Sequence, residues 1–474
     1  MGAAILADRG GLLESLPAAI MGLLKPRHET QVAAAFEAME ASPPSLRLRW
    51  LYMATGLLWC VCSVGPMVLQ ETGGIPLAVS FLSSLGVTWI VLKHLRKQVL
   101  LTLLLAWAGW VALSLLWSTD PHKGRWDLAS LRFIWLIPAL WPLIRDRRLL
   151  VAAVAVGFLL GNVSQLVLWA GHHFGIHALA FKEFSPGGRN PGWWTHPAEA
   201  GYILVGALGL HLPAALMGRG RVRWVGVGGC AASWLGMIAT GTRGAWIAGL
   251  GLMVFGAGLA VVSGRWKWRS ARWGLVGMAA AVAIGWFTVG GFVARRASEG
   301  FSDVRAALAE HRYNTDTGAR IKLALMAVEM FEGRPLVGWG AGSYEQHARE
   351  VLRSEGADLD WWADRPGSAH NAWLHIAATL GVIGVAIAAG IAWFALRGGF
   401  EGWREDVGTY AMGPGFALLG LLLTTPFDVT YLNSVPSAFL ATLLALCLSG
   451  RPRRSDGASR NAAIALTSPE GAQA

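Results

Sequence analysis

The sequence predicts an all-α membrane protein that crosses the bilayer about 12 times. The chain of 474 residues is 54% hydrophobic and only 15% charged, whereas charged residues make up about a quarter of ordinary soluble domains. Its mean hydropathy is +0.45, and its apolar residues form runs long enough to cross about 30 Å of hydrocarbon as helices. Short basic segments separate alternate runs, which is typical of a polytopic membrane protein.

The apolar runs divide the chain into five parts. An N-terminal tail at 1–48 precedes nine predicted helices within 49–291, a long loop covers 292–369, three predicted helices lie within 370–449, and a second tail covers 450–474. We call residues 292–369 the outer loop. The predicted spans lie near 50–69, 75–92, 99–117, 128–144, 149–170, 198–217, 222–241, 244–262, 273–291, 371–396, 410–425 and 434–449.

Basic residues predict the orientation of these spans. Every second connection is short and basic, so the positive-inside rule makes these connections and both tails cytoplasmic and places the outer loop on the opposite face. The net charge of +11 is then a topology signal, and nucleic acid is not a predicted partner. The basic connections contain Lys93, Arg96, Lys97, Arg145, Arg147, Arg148, Arg219, Arg221, Arg223, Arg265, Lys267, Arg269, Arg272, Arg397 and Arg404.

The outer loop is predicted to be a small helical cap. Residues 319–331 have the spacing of an amphipathic helix that ends before Pro335. A second helix is predicted from Ser343, which has capping-box spacing to the residues that follow. One face of that second helix would carry Tyr344, Ala348, Val351 and Leu352.

Three polar segments on the face of the outer loop contain the main candidate residues. Arg243 lies in a tight turn between two spans, and an arginine near the bilayer costs several kcal/mol unless it is paired or hydrated. His370 lies at the mouth of the tenth span, where a titratable side chain is a functional candidate. Arg189 lies in a Gly/Pro-rich loop before the sixth span. The ordinary alternatives are side chains that anchor helix ends at the headgroups and, for Arg189, a solvated loop arginine.

Other side chains of the same face are candidate substrate contacts. His196 immediately precedes the sixth span, and Arg365 lies in the polar segment before the tenth. Trp193 and Trp194 could stack on sugars, although paired tryptophans at span boundaries are more often interfacial belt residues. The histidines within 172–177 have no carboxylate at useful spacing, so neither a metal site nor a cofactor is predicted.

Two arginines and a histidine on one face suit glycosyl transfer from a lipid diphosphate sugar. The guanidinium group offers a planar, permanently charged fork to phosphate oxygens. It would stabilise the charge that develops on a leaving diphosphate. The histidine would accept the proton of the attacking hydroxyl group.

Three segments then resemble a known family, the O-antigen ligase and polymerase superfamily of bacterial envelope proteins. They are TRGAW at 242–246, GRPLVGWGAGSY at 333–344 and HNAWL at 370–374. Their order, their spacing and the long loop before the histidine also match, and the resemblance covers roughly residues 50–450.

The resemblance implies a metal-independent glycosyltransferase of the GT-C fold type, working on the periplasmic face of the bacterial inner membrane. Ligases of this kind transfer a polysaccharide from undecaprenyl diphosphate to a sugar of lipid A-core, with inversion at the anomeric carbon. Carried over to this sequence, Arg189 and Arg243 would hold the diphosphate and His370 would activate the acceptor. Arg320 also matches a family position, for which a structural role is an equal alternative.

Three other functions remain open from the sequence. A polysaccharide polymerase would use the same donor and extend a growing glycan. A protein O-oligosaccharyltransferase of the same superfamily would use a serine or threonine as acceptor. A transporter of lipid-linked sugars belongs to a different class, and it should show repeated halves and interrupted spans at mid-membrane. No internal repeat is visible, and the polar residues gather at one interface.

Overall fold

A computed structural model describes residues 46–84, 98–262, 290–363, 365–400 and 412–448, together with Trp89, Lys93 and Leu95. Within these residues the regular secondary structure is helical, and the one extended pairing is an isolated bridge between Ser185 and Arg189. Residues 1–45 of the predicted N-terminal tail, the whole predicted C-terminal tail and nearly all of the ninth predicted span lie outside the described residues.

The described helices follow the predicted order. Residues 121–146 form a composite segment of short α- and 3₁₀-helices, which leads directly into the long helix that begins at Arg147. The helices are α1 (Leu46–Cys62), α2 (Met67–Ser83), α3 (Val99–Ser114), α4 (Pro121–Ala129), α5 (Leu136–Leu140), α6 (Arg147–Phe174), α7 (Pro197–Met217), α8 (Gly220–Thr240), α9 (Arg243–Val262), α10 (290–309), α11 (Asp316–Gly333), α12 (Ser343–Ser354), α13 (Leu359–Trp362), α14 (Ala372–Phe400), α15 (Gly413–Thr424) and α16 (Ser434–Leu446).

Six helical segments of the described chain are long and apolar enough to cross a membrane, which confirms a multi-pass membrane protein. Four further apolar helices are shorter than a full span, at Trp50–Cys62, Val99–Ser114, Gly413–Thr424 and Val435–Leu446. The predicted number of 12 spans stays a prediction. The six long segments are Pro121–Ile144, Arg147–Phe174, Pro197–Met217, Gly220–Thr240, Arg243–Val262 and Ala372–Phe400.

The predicted boundaries of the first two spans were wrong. The sequence suggested one run over 50–69, but α1 ends at Cys62 and α2 begins at Met67 after a break that contains Pro66. Proline lacks an amide hydrogen and has a fixed φ, so it favours the start of a new helix. Hydropathy alone does not predict this break, because the residues on both sides of it are apolar.

Helix α7 forms the centre of the bundle and is buried along most of its length. It packs against α8, α9 and α15. Small residues permit the close approach of these helices, because a Cβ atom at Gly209 would lie 2.5 Å from the Phe416 carbonyl oxygen of α15. The first turn of α7 and the turn from α8 to α9 thus become fixed neighbours at one end of the bundle.

Helix α14 is broken at Gly381, where φ is 67° and ψ is −170°. The Gly-rich segment of the outer loop pairs with the interrupted backbone. The amide of Gly340 donates to the Thr379 carbonyl at 2.8 Å, and the amide of Val382 donates to the Pro335 carbonyl at 2.9 Å. The loop therefore satisfies backbone groups that an unbroken helix would satisfy internally. This arrangement separates the first turns of α14 from its longer second half.

The outer loop is a helical cap with its own core, as predicted. One face of α11 packs on one face of α12, and Tyr344 donates its hydroxyl hydrogen to the Leu323 carbonyl at 2.5 Å. The predicted capping box is wrong, because Gly342 is the N-cap residue and the Ser343 hydroxyl instead bonds to the Trp339 carbonyl at 2.6 Å. The buried residues of this core include Leu323, Met326, Met330, Tyr344, Ala348, Leu352 and Trp362.

Candidate active site

The candidate residues converge at the end of the bundle where four connections meet. We call this end the site face. It comprises the connection 175–196, the turn between α8 and α9, the outer loop and the connection 425–433. Contacts between these connections, described below, place Arg189, Arg243, Arg320 and His370 on it.

Arg189 is held by a tight turn and by the end of α8. Gly187 and Gly188 have φ values of 79° and 73°, a conformation that glycine adopts without strain. The Arg189 side chain donates from Nε to the Thr240 carbonyl at 2.9 Å and from Nη2 to the Thr242 hydroxyl at 3.3 Å. Burial and the neighbouring charge of Arg296 lower the pKa of Arg189 to about 10, so the group stays cationic at neutral pH.

Arg243 begins α9 and reaches across to the outer loop. It donates from Nη1 to the Arg296 carbonyl at 3.2 Å and from Nη2 to the Thr317 hydroxyl at 2.8 Å, and Nη2 lies 3.6 Å from Asp303. Its side chain is 22% exposed. The arginine therefore lies in a polar site between the bundle and the cap, rather than extending freely towards the headgroups.

His370 faces Asp428 across the site. The distance from His370 Nδ1 to Asp428 Oδ1 is 3.3 Å, and His370 has a φ of 47°, which is uncommon for a residue other than glycine. The backbone of Ala372, just after the histidine, donates to the Thr425 carbonyl at 2.8 Å, and Trp373 donates to the Thr425 hydroxyl at 3.0 Å. These bonds tie the start of α14 to the connection that carries Asp428.

The carboxylate of Asp428 is stabilised in its ionised form. Burial alone raises the pKa of a carboxyl group, but the hydrogen bond with His370 and the charge of Arg320 outweigh it, and the pKa of Asp428 is lowered. With a carboxylate as its partner, Nδ1 of a neutral His370 is the donor, and Nε2 is then the acceptor. Asp428 thus selects the tautomer of His370 in which Nε2 can accept a proton.

Arg320 joins the cap to the same connection. It donates to the Phe427 carbonyl at 2.5 Å, and its Nη1 lies 3.7 Å from Asp428 Oδ2. Tyr202 of α7 donates to the same Phe427 carbonyl at 3.4 Å. Burial lowers the pKa of Arg320, but Tyr202 and Asp428 together raise it above its ordinary value. Arg320 therefore has a structural partner and also contributes charge to the site.

His196 lies within the field of these groups. Burial and the charges of Arg189 and Arg320 lower its pKa, so its neutral form is favoured. Its Nδ1 accepts a hydrogen bond from the Ala198 amide at 3.2 Å and caps α7. His196 is thus placed at the site, where its main visible contact is a helix cap.

Three other predicted contacts lie at the edge of the site or away from it. Arg365 stacks on Trp361 with its Cζ atom 4.0 Å from the ring centroid and lies 3.3 Å from Asp316. Trp194 is completely buried and donates to the Val64 carbonyl at 2.7 Å, so it presents no ring face to a ligand in this structure. Trp193 packs edge-on against it.

Sequence reasoning missed Asp428 and Arg296. Asp428 is the one acidic residue within 425–433, between two apolar runs, and an ionisable residue at such a position is a signal that could have been used. Arg296 is one of several arginines near the start of the outer loop, and no spacing separates it from Arg295.

An apolar groove opens beside His370 and Asp428. It lies between α3, the composite segment, α14, α15 and α16. Thr425 and Tyr431 line the groove and lie three residues on either side of Asp428 in the chain. Its other walls are mostly hydrophobic and include Trp107, Ile134, Ile376, Leu422 and Leu440.

Comparison with protein families gives a match within this chain. Residues 228–389 match the family model described as O-antigen ligase, and no curated protein matches the chain. The matched segment contains Arg243, Arg320 and His370, whereas Arg189 and Asp428 lie outside it. The match confirms the resemblance seen in the sequence, because residues 228–389 of this multi-pass membrane protein are similar to the O-antigen ligase family.

Proposed function

We propose that this protein is an O-antigen ligase that transfers a polysaccharide from undecaprenyl diphosphate to lipid A-core. The observation that carries the proposal is the pairing of His370 with Asp428 on the same site face as Arg189 and Arg243, in a chain whose residues 228–389 match the O-antigen ligase family. The reaction belongs to the periplasmic face of the inner membrane, in a GT-C-type bundle of twelve spans. The basic connections at the opposite end of the helices support this orientation.

The arginines would hold the donor diphosphate. Arg189 donates through Nε and Nη2 to α8 and the following turn, and its Nη1 has no partner among the described residues. Arg243 is fixed in place by the cap, so it would meet the diphosphate with little loss of side-chain entropy. Both guanidinium groups would stabilise the charge that develops on the leaving group.

The histidine would activate the acceptor hydroxyl group. His370 Nε2 takes the proton of that hydroxyl while Asp428 stabilises the imidazolium that forms. The hydroxyl oxygen forms a bond to the anomeric carbon, and the bond from that carbon to the diphosphate oxygen breaks, so the products are glycosylated lipid A-core and undecaprenyl diphosphate. A single displacement inverts the anomeric configuration. No metal is needed for this step, since arginines neutralise the leaving group.

The apolar groove supports a lipid-linked donor. Its walls are mostly hydrophobic, and its lining continues to residues three positions from Asp428. An isoprenoid chain in the groove would bury apolar surface while its diphosphate remained among the arginines. A water-soluble sugar nucleotide would leave such a groove unused.

A reconstituted assay tests the proposal. Purified protein would receive undecaprenyl-diphosphate-linked glycan and lipid A-core, and the expected product is glycan on lipid A. Arg243→Ala should lower the rate by about 100-fold or more with a near-normal membrane level, whereas Arg221→Ala, at an exposed arginine of the opposite end, should not. A donor glycan that lengthens without any lipid A product would contradict ligation and indicate a polymerase.

A further inference from the structure

Arg296 of α10 lies with Arg189 and Arg243, and the proposed mechanism does not use it. Its backbone carbonyl accepts the hydrogen bond from Arg243 Nη1 at 3.2 Å. Its charge also acts on Arg189, whose pKa it helps to lower. The first turn of α10 lies against the same group, because a Cβ atom at Gly241 would lie 3.0 Å from Phe292 and 3.1 Å from Arg189 Cγ. The three arginines therefore share one region between the bundle and the cap.

The side chain of Arg296 is only partly satisfied. Its Nη1 pairs with Glu299 at 2.7 Å, and its buried Nε atom has no hydrogen-bond partner within the described part of the chain. A buried donor without a partner is unfavourable. The arginine side chain is 14% exposed, whereas Glu299 is 43% exposed. Glu299 can therefore turn towards solvent while Arg296 keeps its position.

Among the described residues, two of these three guanidinium groups have a carboxylate within ion-pair distance, and Asp316 acts on Arg189 and Arg243 from farther away. Asp303 lies 3.6 Å from Arg243 and Glu299 lies 2.7 Å from Arg296, and within the described residues no carboxylate lies within ion-pair distance of Arg189. A ligand with negative charge on two adjacent phosphates would complete this set. It would also offer acceptors to the free Nη1 of Arg189 and to the Nε of Arg296.

We propose that Arg296 is a substrate-binding residue that takes the donor diphosphate together with Arg189 and Arg243, and that Glu299 is its stand-in partner when the donor is absent. This inference rests on the proposed function. When the diphosphate binds, Arg296 exchanges the partly exposed Glu299 carboxylate for phosphate oxygens. Because α10 belongs to the cap, the exchange links donor binding to the docking of the cap on the bundle.

Binding of undecaprenyl diphosphate to purified full-length protein in detergent tests the assignment. Arg296→Ala should weaken binding about tenfold or more, and Arg296→Lys, which keeps the charge but loses the planar fork, should fall between that variant and the wild type. Arg295→Ala is the matched control, because Arg295 is the exposed neighbour on the same helix. The bond from Arg243 to the Arg296 backbone remains in all these variants, so lost binding cannot be assigned to it.

Glu299→Gln distinguishes a ligand contact from a structural ion pair. If Glu299 is a stand-in, this variant binds undecaprenyl diphosphate at least as tightly as the wild type. If Arg296 serves only to hold Glu299, then Glu299→Gln and Arg296→Ala lose binding equally, and the assignment is overturned.

Binding of undecaprenyl diphosphate by the wild type shows whether the role of Arg296 or the proposed donor is wrong. Wild-type-like binding by Arg296→Ala, alongside binding by the wild type and Arg295→Ala, overturns the role of Arg296 alone. Absence of binding by the wild type and by Arg295→Ala overturns both the role of Arg296 and the proposed donor.

Discussion

Replacement of Asp428 by asparagine tests how the histidine is prepared for catalysis. The change keeps the shape of the side chain and removes its charge. Oδ1 lies 3.3 Å from His370 Nδ1, Oδ2 lies 3.7 Å from Arg320 Nη1, and the side chain is only 13% exposed. A hydrogen bond to a charged group contributes about 1.5–3 kcal/mol and a neutral one about 0.5–1.5 kcal/mol. We therefore expect a loss of roughly 1–2 kcal/mol in the transition state, or about 5- to 30-fold in kcat.

The assay measures kcat and the donor KM of purified variants. The donor KM should stay near the wild-type value in Asp428→Asn, because Arg189 and Arg243, which would hold the diphosphate, form their hydrogen bonds with other residues. Asp360→Asn is the matched control, since Asp360 is an exposed carboxylate of the cap. In a His370→Ala background, Asp428→Asn should cause no further loss, because the carboxylate acts through the histidine. Wild-type kcat in Asp428→Asn, or a full additional loss in the double variant, would refute this reasoning.

Two further outcomes follow from the same structure. Gly381→Ala should lower the melting temperature and the activity together, because a Cβ atom would collide with the Leu336 carbonyl and the left-handed backbone favours glycine. The control Gly390→Ala should be tolerated, since its Cβ atom meets only the flexible Leu103 side chain. Equal melting temperatures for the two variants would show that the break in α14 has another cause. Addition of EDTA to the purified reaction should leave the rate unchanged, and a rate that collapses with the chelator would reveal a metal that the arginine mechanism omits.

Local composition was enough to predict much of the helical order. Runs of apolar residues separated by basic connections predicted α6 to α9 to within a few residues, because a membrane helix must satisfy its backbone internally and present apolar side chains to lipid. The amphipathic spacing of α11 and α12 predicted the cap for the same kind of reason. Each of these signals lies within about 20 neighbouring residues.

Long-range features were not visible in the same way. The break of α14 at Gly381 depends on a loop segment about 40 residues earlier in the chain, which supplies its hydrogen bonds. A glycine within an apolar run does not by itself indicate that the helix breaks there. The pairing of His370 with Asp428 joins residues 58 positions apart. Arg296 is distinguished from Arg295 only by the side of α10 that faces the bundle. Tertiary packing decides all three.

Release of undecaprenyl diphosphate by the purified wild-type protein tests the central claim most directly. The donor is undecaprenyl-diphosphate-linked glycan, and the measurement compares its cleavage with and without lipid A-core. Our account predicts that undecaprenyl diphosphate appears in step with glycan on lipid A, and that cleavage depends on the acceptor and is lost in His370→Ala. A donor that stays intact in the presence of lipid A-core would contradict the account and would favour a protein that binds or moves the lipid-linked glycan without transferring it.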